Sequence, residues 1–317
     1  MSTRRALIIS SCRAPGPALT ARVTALTADH DDVIVAVDDH EIAAAATPAV
    51  GVQPAPLPAR WAAARRCVAG VAHAFATALP TTSTLLSAHD RLLALRARLG
   101  ACSTLVVDSP ALAAAAKALG IVVDLQPRLA DNGAVPPPVP AARRALVVVR
   151  AQPFHRGHLA LVEHAARLAD EVVVVVAAAE RSHSARDPFT AGERLSMVRA
   201  ALAVLPVPMW IVAVPSPTWP ALALTQLAAV APTFDVVVAH NPVLRAMASE
   251  LGIAVEALPT PLRLEGAEVS ATAIRARLVR DGAGPWLGTL VPDAVAAQLA
   301  TTALLQRVTS SSAVEQR

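Results

Sequence analysis

The 317-residue sequence contains no tyrosine, only four Phe and four Trp, and a single lysine, Lys117. With aromatics at 3% and hydrophobic residues at 54%, the apolar material is mostly Ala, Val and Leu, so any core is built from small aliphatic side chains. The scarcity of lysine excludes a Walker-A phosphate loop, because no Gly-Lys-Ser/Thr triplet exists. It also leaves residues 118–317 without an amine able to form a Schiff base. Cysteines number three, Cys12, Cys67 and Cys102, an odd count at spacings that match no metal site, which argues against a disulfide framework and fits a reducing compartment. Charged residues are only 16% and mean hydropathy is +0.48, which excludes an intrinsically disordered chain. A net charge of +4 is dilute over this length and no basic tract occurs, so no nucleic-acid partner is expected. Long apolar runs are missing too. The one long stretch free of Asp, Glu, Lys and Arg, 200–234, is broken by Pro206, Pro208, Pro215, Pro217, Pro220 and Pro232, which argues against a membrane span. Residues 1–22 lack a continuous apolar segment because Arg13, Pro15 and Pro17 interrupt it, and a cytoplasmic location is expected.

What is present is an internal repeat. Residues 143–149, RRALVVV, match residues 4–10, RRALIIS, and at the same offset of 139 the run DEVVVVV (170–176) falls on DDVIVAV (31–37). A second block, 236–259, matches 105–127 at an offset of 132, aligning Pro110 with Pro242, Gly120 with Gly252 and Pro127 with Pro259. Continuous apolar strands alternating with helices imply a parallel sheet covered on both faces. The expectation is a tandem duplication of one α/β unit: residues 1–132 as the first copy, 133–142 (containing GAVPPPVP) as a stiff linker, 143–308 as the second copy and 309–317 as a polar, frayed tail.

The second copy carries the chemistry. A strand over 145–150 runs into Gln152-Pro153-Phe154-His155-Arg156-Gly157-His158 and then a helix expected over 159–169. A helix N-terminus at a strand-to-helix turn suits a phosphate chain. His155 and His158 share a face there, and Gly157 leaves room for close approach of a ligand. Further on, Ser270 and Thr272 open a helix expected over 273–279, with Arg275 one turn in. Alone, that pair reads as an ordinary N-cap. Thr190 with Glu193 reads as a capping box. Arg186 is either a phosphate ligand or a solvated partner of Asp187. Asn241 before Pro242 is either a plain turn or an edge of a nucleotide pocket.

Taken together, RAQPFHRGH (150–158), SHSARDPFTAGER (182–194) and VSATAIR (269–275) resemble the HxGH and ISxTxxR signatures of the nucleotidyltransferase superfamily, and the middle segment resembles its archaeal-type nicotinamide mononucleotide (NMN) adenylyltransferases. The resemblance spans residue 143 to roughly residue 299. It implies an α/β fold of two tandem Rossmann-like parallel-sheet units and an enzyme that transfers a nucleotidyl group from an NTP to a small phosphate- or phosphonate-bearing acceptor, releasing pyrophosphate. It implies catalytic roles for His155, His158 and Arg275; nucleotide and phosphate contacts from Arg150, Gln152, Phe154, Gly157, Asn241, Ser270 and Thr272; and acceptor contacts from Arg186 and Trp219. Mg²⁺ would arrive with the triphosphate, with no protein metal site. A homo-oligomer is compatible with this.

The sequence departs from the family at Val149, where a Gly is usual, and at Pro220 and Ala223, which fall where the family carries an Asn and a Trp against the nicotinamide. In the first copy His155 and His158 correspond to Gly16 and Leu19, and no SATAIR-like segment follows Pro127, so that copy reads as degenerate. Three readings stand: an NMN adenylyltransferase-like enzyme making NAD from ATP and NMN; a CTP-dependent cytidylyltransferase acting on a small phosphonate or phosphate; and a nucleotide-binding regulatory protein without turnover.

Overall fold

The computed structural model describes residues 4–10, 16–38, 56–79, 87–107, 109–126, 138–217, 223–257, 263–264 and 267–315. Two units emerge: Met1–Ala97 with Ala101–Ala141 and Ala229–Pro232, and Arg98–Gly100 with Ala142–Ala228 and Thr233–Arg317.

In the first unit, β1 (Arg5–Ser10), β2 (Asp32–Asp38), β3 (Ala74–Leu79), β4 (Thr104–Val107) and β5 (Val122–Leu125) form an all-parallel sheet in the order β3-β2-β1-β4-β5. In the second, β6 (Arg144–Val149), β7 (Glu171–Ala177), β8 (Met209–Val214), β9 (Val236–Val238) and β10 (Ala254–Glu256) form another in the order β10-β9-β6-β7-β8. Counted within each unit, both orders are the doubly wound 3-2-1-4-5, in which the chain reverses direction across the sheet beside its first strand. The central strands are β-branched and buried nearly throughout, as a sheet covered on both faces demands: Val172 to Val176 are all 1% exposed or less.

The repeat extends to register. Arg5 opposes Asp32 as Arg144 opposes Glu171, at the offset of 139, and Ala6 opposes Thr104 as Ala145 opposes Val236, the second partner at 132. Partly buried ion pairs recur at the same place, Arg5 to Asp32 at 2.8 Å and Arg144 to Glu171 at 2.6 Å. So do the helix ends at Gly120 and Gly252, with φ of 69° and 70°, a left-handed conformation that glycine adopts without steric cost.

Helices in the first unit are α1 (Pro17–Thr27), α2 (Leu57–Val68), α3 (Ala88–Leu99) and α4 (Pro110–Ala118). Those in the second are α5 (Arg156–Leu168), α6 (Ala191–Leu202), α7 (Ala223–Val230), α8 (Pro242–Glu250), α9 (Ala271–Asp281), α10 (Leu287–Leu290), α11 (Asp293–Leu299) and α12 (Thr302–Glu315). Two start earlier than their sequence suggests because a side chain caps them: α5 at Arg156 rather than 159, behind His155, and α9 at Ala271 rather than 273, behind Ser270. The segment expected to fray from Thr309 is helical as far as Glu315, and Val308 within α12 is 1% exposed. Linker residues 133–137 lie outside the described residues. Cys67 and Cys102 are free and buried. None of the described helices is long and apolar enough to cross a membrane.

Candidate functional site at the carboxyl ends of the second sheet

A cavity of about 900 Å³ opens where β6, β7, β8 and β9 end, wholly within the second unit. That is the place where an α/β sheet of this order leaves a crevice, because the connections after β6 and before β9 depart to opposite sides. Its wall includes Arg150, His155, Gly157, His158, Arg181, Arg186, His240, Asn241 and Ser270. None of the described residues on it is a carboxylate, so the wall is cationic and suits a polyanion.

His155 is the N-cap of α5. Its Nδ1 accepts the His158 N–H at 3.3 Å, and the His158 Nδ1 accepts the His155 N–H at 3.3 Å, a reciprocal capping box made by two imidazoles. The rings stack, centroids 3.6 Å apart and 19° from parallel. Because each Nδ1 accepts, each neutral ring carries its proton on Nε2, which leaves two N–H donors side by side on the cavity wall. Burial lowers the His155 pKa to about 4. His158 is held well below the ordinary histidine range, first by burial and then by its neighbour His155. Both rings are therefore neutral donors at neutral pH. A Cβ on Gly157 would sit 3.1 Å from the His155 ring, so the glycine accommodates the imidazole itself.

Arg150, at the end of β6, makes a two-pronged contact with Asp187, at 2.8 and 2.9 Å, and the carboxylate of Asp187 is buried. That pair fastens the loop after β7 to the cavity, and Arg186 beside it is left exposed with no hydrogen bond or ion pair among the described residues. Asp187 thus partners Arg150 rather than Arg186. Two residues expected to touch nucleotide lie behind the wall. Gln152 is buried and exchanges hydrogen bonds with both backbone groups of Phe189, at 2.9 and 3.0 Å, while Phe154 is fully buried with its ring 5.4 Å from that of His158.

Arg194, fully buried, donates to the carbonyls of Arg150, Ala177 and Ala178 at 2.9, 2.7 and 2.8 Å, gathering the ends of β6 and β7. Ala151 and Ala178 there have φ of 53°, a left-handed conformation costing about 1 kcal/mol or more for a residue with a Cβ. Burial pushes the Arg194 pKa down to about 10, still charged at neutral pH. Arg60 occupies the corresponding fourth position of α2 and donates to the carbonyl of Asp38, at the end of β2.

Ser270 caps α9 through its Oγ to the Ala273 N–H at 3.2 Å and faces the cavity with Ala271. Arg275 and Thr272 do not line it. Arg275 donates to the carbonyls of Gln152 at 2.7 Å and Ala185 at 3.0 Å and to the Thr272 hydroxyl at 3.3 Å, tying α9 to the turn before α5 and to the loop of Arg186. Asn241 caps α8, its Oδ1 accepting from Val243 at 2.9 Å, and lines the opposite side. Trp219 and Pro220 lie outside the described residues; Ala223 is on the wall. Sequence motifs did not reveal Arg181 and His240, whose only signal is their place just beyond a parallel strand's carboxyl end, nor Gln226, which sits in an Ala-rich helix. Among the described residues no group of three His, Cys, Asp or Glu could hold a metal ion.

In the first unit Gly16 is the N-cap of α1, where the second unit has His155, and Leu19, 1% exposed, takes the place of His158.

Residues 146–277 match the family model described as cytidylyltransferase-like. A nicotinamide-nucleotide adenylyltransferase of Methanolobus tindarius is 39% identical over 153 residues, covering 48% of this chain and 85% of the relative. A protein of the same name from Methanoculleus marisnigri is 36% identical over 152 residues, covering 48% and 87%. A solved structure of a bifunctional NMN adenylyltransferase/ADP ribose pyrophosphatase from Francisella tularensis, complexed with AMP and a manganese ion, is 14% identical, covers 54% of this chain and 52% of its own, and superposes with a TM-score of 0.43.

Proposed function

The chain belongs to the nucleotidyltransferase superfamily and is similar to its archaeal NMN adenylyltransferases, and from that premise we propose that its second unit transfers AMP from ATP to NMN, forming NAD and releasing pyrophosphate. The observation that carries this reading is the stacked His155–His158 capping box, which holds two Nε2–H donors at the N-terminus of α5 on a cationic cavity wall. A phosphate oxygen of the acceptor attacks the α-phosphorus; one P–O bond forms, the bond to the β-phosphate oxygen breaks, and pyrophosphate departs with the electron pair. No covalent enzyme intermediate is needed. The protein positions the reactants and stabilises charge. His155 and His158 donate to the transferring and leaving phosphates, and Ser270 with the free N–H groups that open α9 receives the triphosphate tail. Arg186, uncommitted and exposed to the cavity, takes the acceptor's phosphate, with Arg150 held in line by Asp187. Arg275 acts as a positioning residue that joins α9 to two loops of the site. Asn241 borders the nucleotide side. A divalent ion, Mg²⁺ by its abundance with ATP, would enter on the triphosphate, since the described residues of the wall offer no carboxylate to compete with the phosphates.

The second reading, cytidylyl transfer to a small phosphonate or phosphate, is favoured by Ala223 standing on the wall where the resemblance would place an indole. Pyrophosphate release measured with each of four NTPs, against NMN and a panel of small phosphorylated and phosphonate acceptors, separates the two. NAD formation from ATP and NMN supports the first. CTP-dependent release with a small phosphonate and none with NMN overturns it, and nucleotide binding without any turnover overturns both.

A further inference from the structure

The β8 side of the cavity carries a polar group that the chemistry above does not use. Helix α7 turns Ala223, Gln226 and Leu227 onto the wall, residues three and four apart that share one helical face. Val214, Pro215 and Pro217 complete an apolar surround. Among the described residues, the polar groups of Ser216, Glu180 and Arg181 at this end engage one another. The Ser216 N–H donates to Glu180 Oε2 at 2.9 Å, and Glu180 lies 3.4 Å from Arg181 in a pair that is about half exposed. Gln226 makes no hydrogen bond or ion pair among the described residues. The transferring phosphates belong beside β6, at His155 and His158, and the sheet order puts β7 and then β8 to one side of that point and β9 to the other. An acceptor whose phosphate is at Arg186, after β7, therefore extends its far end toward α7.

We propose that Gln226 is the residue that sets acceptor specificity, pairing its amide with a carboxamide on the acceptor and so selecting the amide over the corresponding carboxylic acid. This rests on the reading of a ring-bearing mononucleotide as acceptor. A glutamine amide offers one donor and one acceptor edge to edge, and a carboxamide returns both, making two reciprocal hydrogen bonds in an apolar surround. A carboxylate is acceptor-only at neutral pH: it takes the Gln226 N–H but sets its second oxygen against the glutamine carbonyl. Among the described residues the one other charged side chain on the wall at this end is Arg181, more than half exposed and 3.4 Å from Glu180, where solvent screens its charge and limits what it adds for the acid.

The test is steady-state kinetics of the full chain with ATP and either NMN or nicotinic acid mononucleotide, for the wild type, Gln226→Ala and Gln226→Glu, with circular dichroism to confirm that each variant is folded. The wild type should prefer NMN. Gln226→Ala should cut kcat/KM for NMN about tenfold, mostly through KM, and shrink the preference. Gln226→Glu should restore or widen the preference, since its carboxylate still accepts the carboxamide N–H while repelling the acid. An amide-to-acid ratio that is the same in all three proteins, or a wild type that prefers the acid, overturns the assignment. Absence of turnover with either mononucleotide in the wild type overturns the parent reading instead, and the assignment with it.

Discussion

His155 and His158 each spend Nδ1 on the other's backbone N–H, so their protonation and their geometry are one matter. A proton added at Nδ1 removes the acceptor that closes the capping box. The His155 pKa is about 4 in the folded chain against about 6.5 when unfolded. Between those values the unfolded chain binds the proton and the folded one does not, so stability is complete above about pH 6.5 and falls as pH drops toward about 4. His155 alone contributes about 3 kcal/mol to that loss, measurable as denaturant unfolding against pH. His155→Asn keeps a helix cap without that titration and should remove the His155 share of the slope, leaving the part due to buried His158. His158→Ala should lower kcat by about 10²- to 10³-fold while the far-ultraviolet spectrum stays unchanged; near-normal kcat would remove the imidazole pair from the chemistry. Gly157→Ala drives a methyl to 3.1 Å from the His155 ring and should cost about tenfold in kcat with unfolding little altered.

Elements, rather than motifs, explain what the sequence left unread. The unbroken valine run of β7 announced a strand buried on both faces, and the paired offsets announced two copies of one layout, because those signals depend only on burial and order along the chain. The places of His155, His158 and Ser270 at helix starts were legible for the same reason, since capping is local. Gln152 and Arg275 were not. Both carry the look of ligand-binding side chains, yet both are used up by carbonyl or N–H groups of remote loops, an arrangement that exists only after the sheet has formed. Arg194 is the clearest instance of an element-scale role. Replacing it by Ala leaves the carbonyls of Arg150, Ala177 and Ala178 buried without their donor, and should lower the unfolding free energy of the second unit by about 3 kcal/mol or more. Lysine should rescue this only in part, because a single ammonium cannot reproduce a planar fork. Equilibrium denaturation of the three proteins settles the order; equal stability of wild type and alanine variant would contradict it.

For the molecule as a whole, the two units keep one architecture and divide the chemistry unequally. Gly16 and Leu19 stand where the second unit has its two imidazoles, so every turnover of the full chain should depend on the second unit. A full-length His155→Ala/His158→Ala protein should then retain no pyrophosphate release above background, and residual turnover insensitive to both changes would reveal a second centre. The matching registers carry one more consequence, and it concerns the nascent chain. Strands β1 and β6 enter their sheets with the same partners by type, an arginine facing a carboxylate and then aliphatic side chains facing aliphatic ones. During folding, β6 finds in β2 a partner almost as acceptable as β7, and only chain proximity, 27 residues from Arg144 to Glu171 against 112 back to Asp32, favours the correct choice. Synthesis from the N-terminus gives a remedy that dilution from denaturant does not: the first sheet can close before the second set of strands leaves the ribosome, so the order of emergence performs the sorting that the strand surfaces do not.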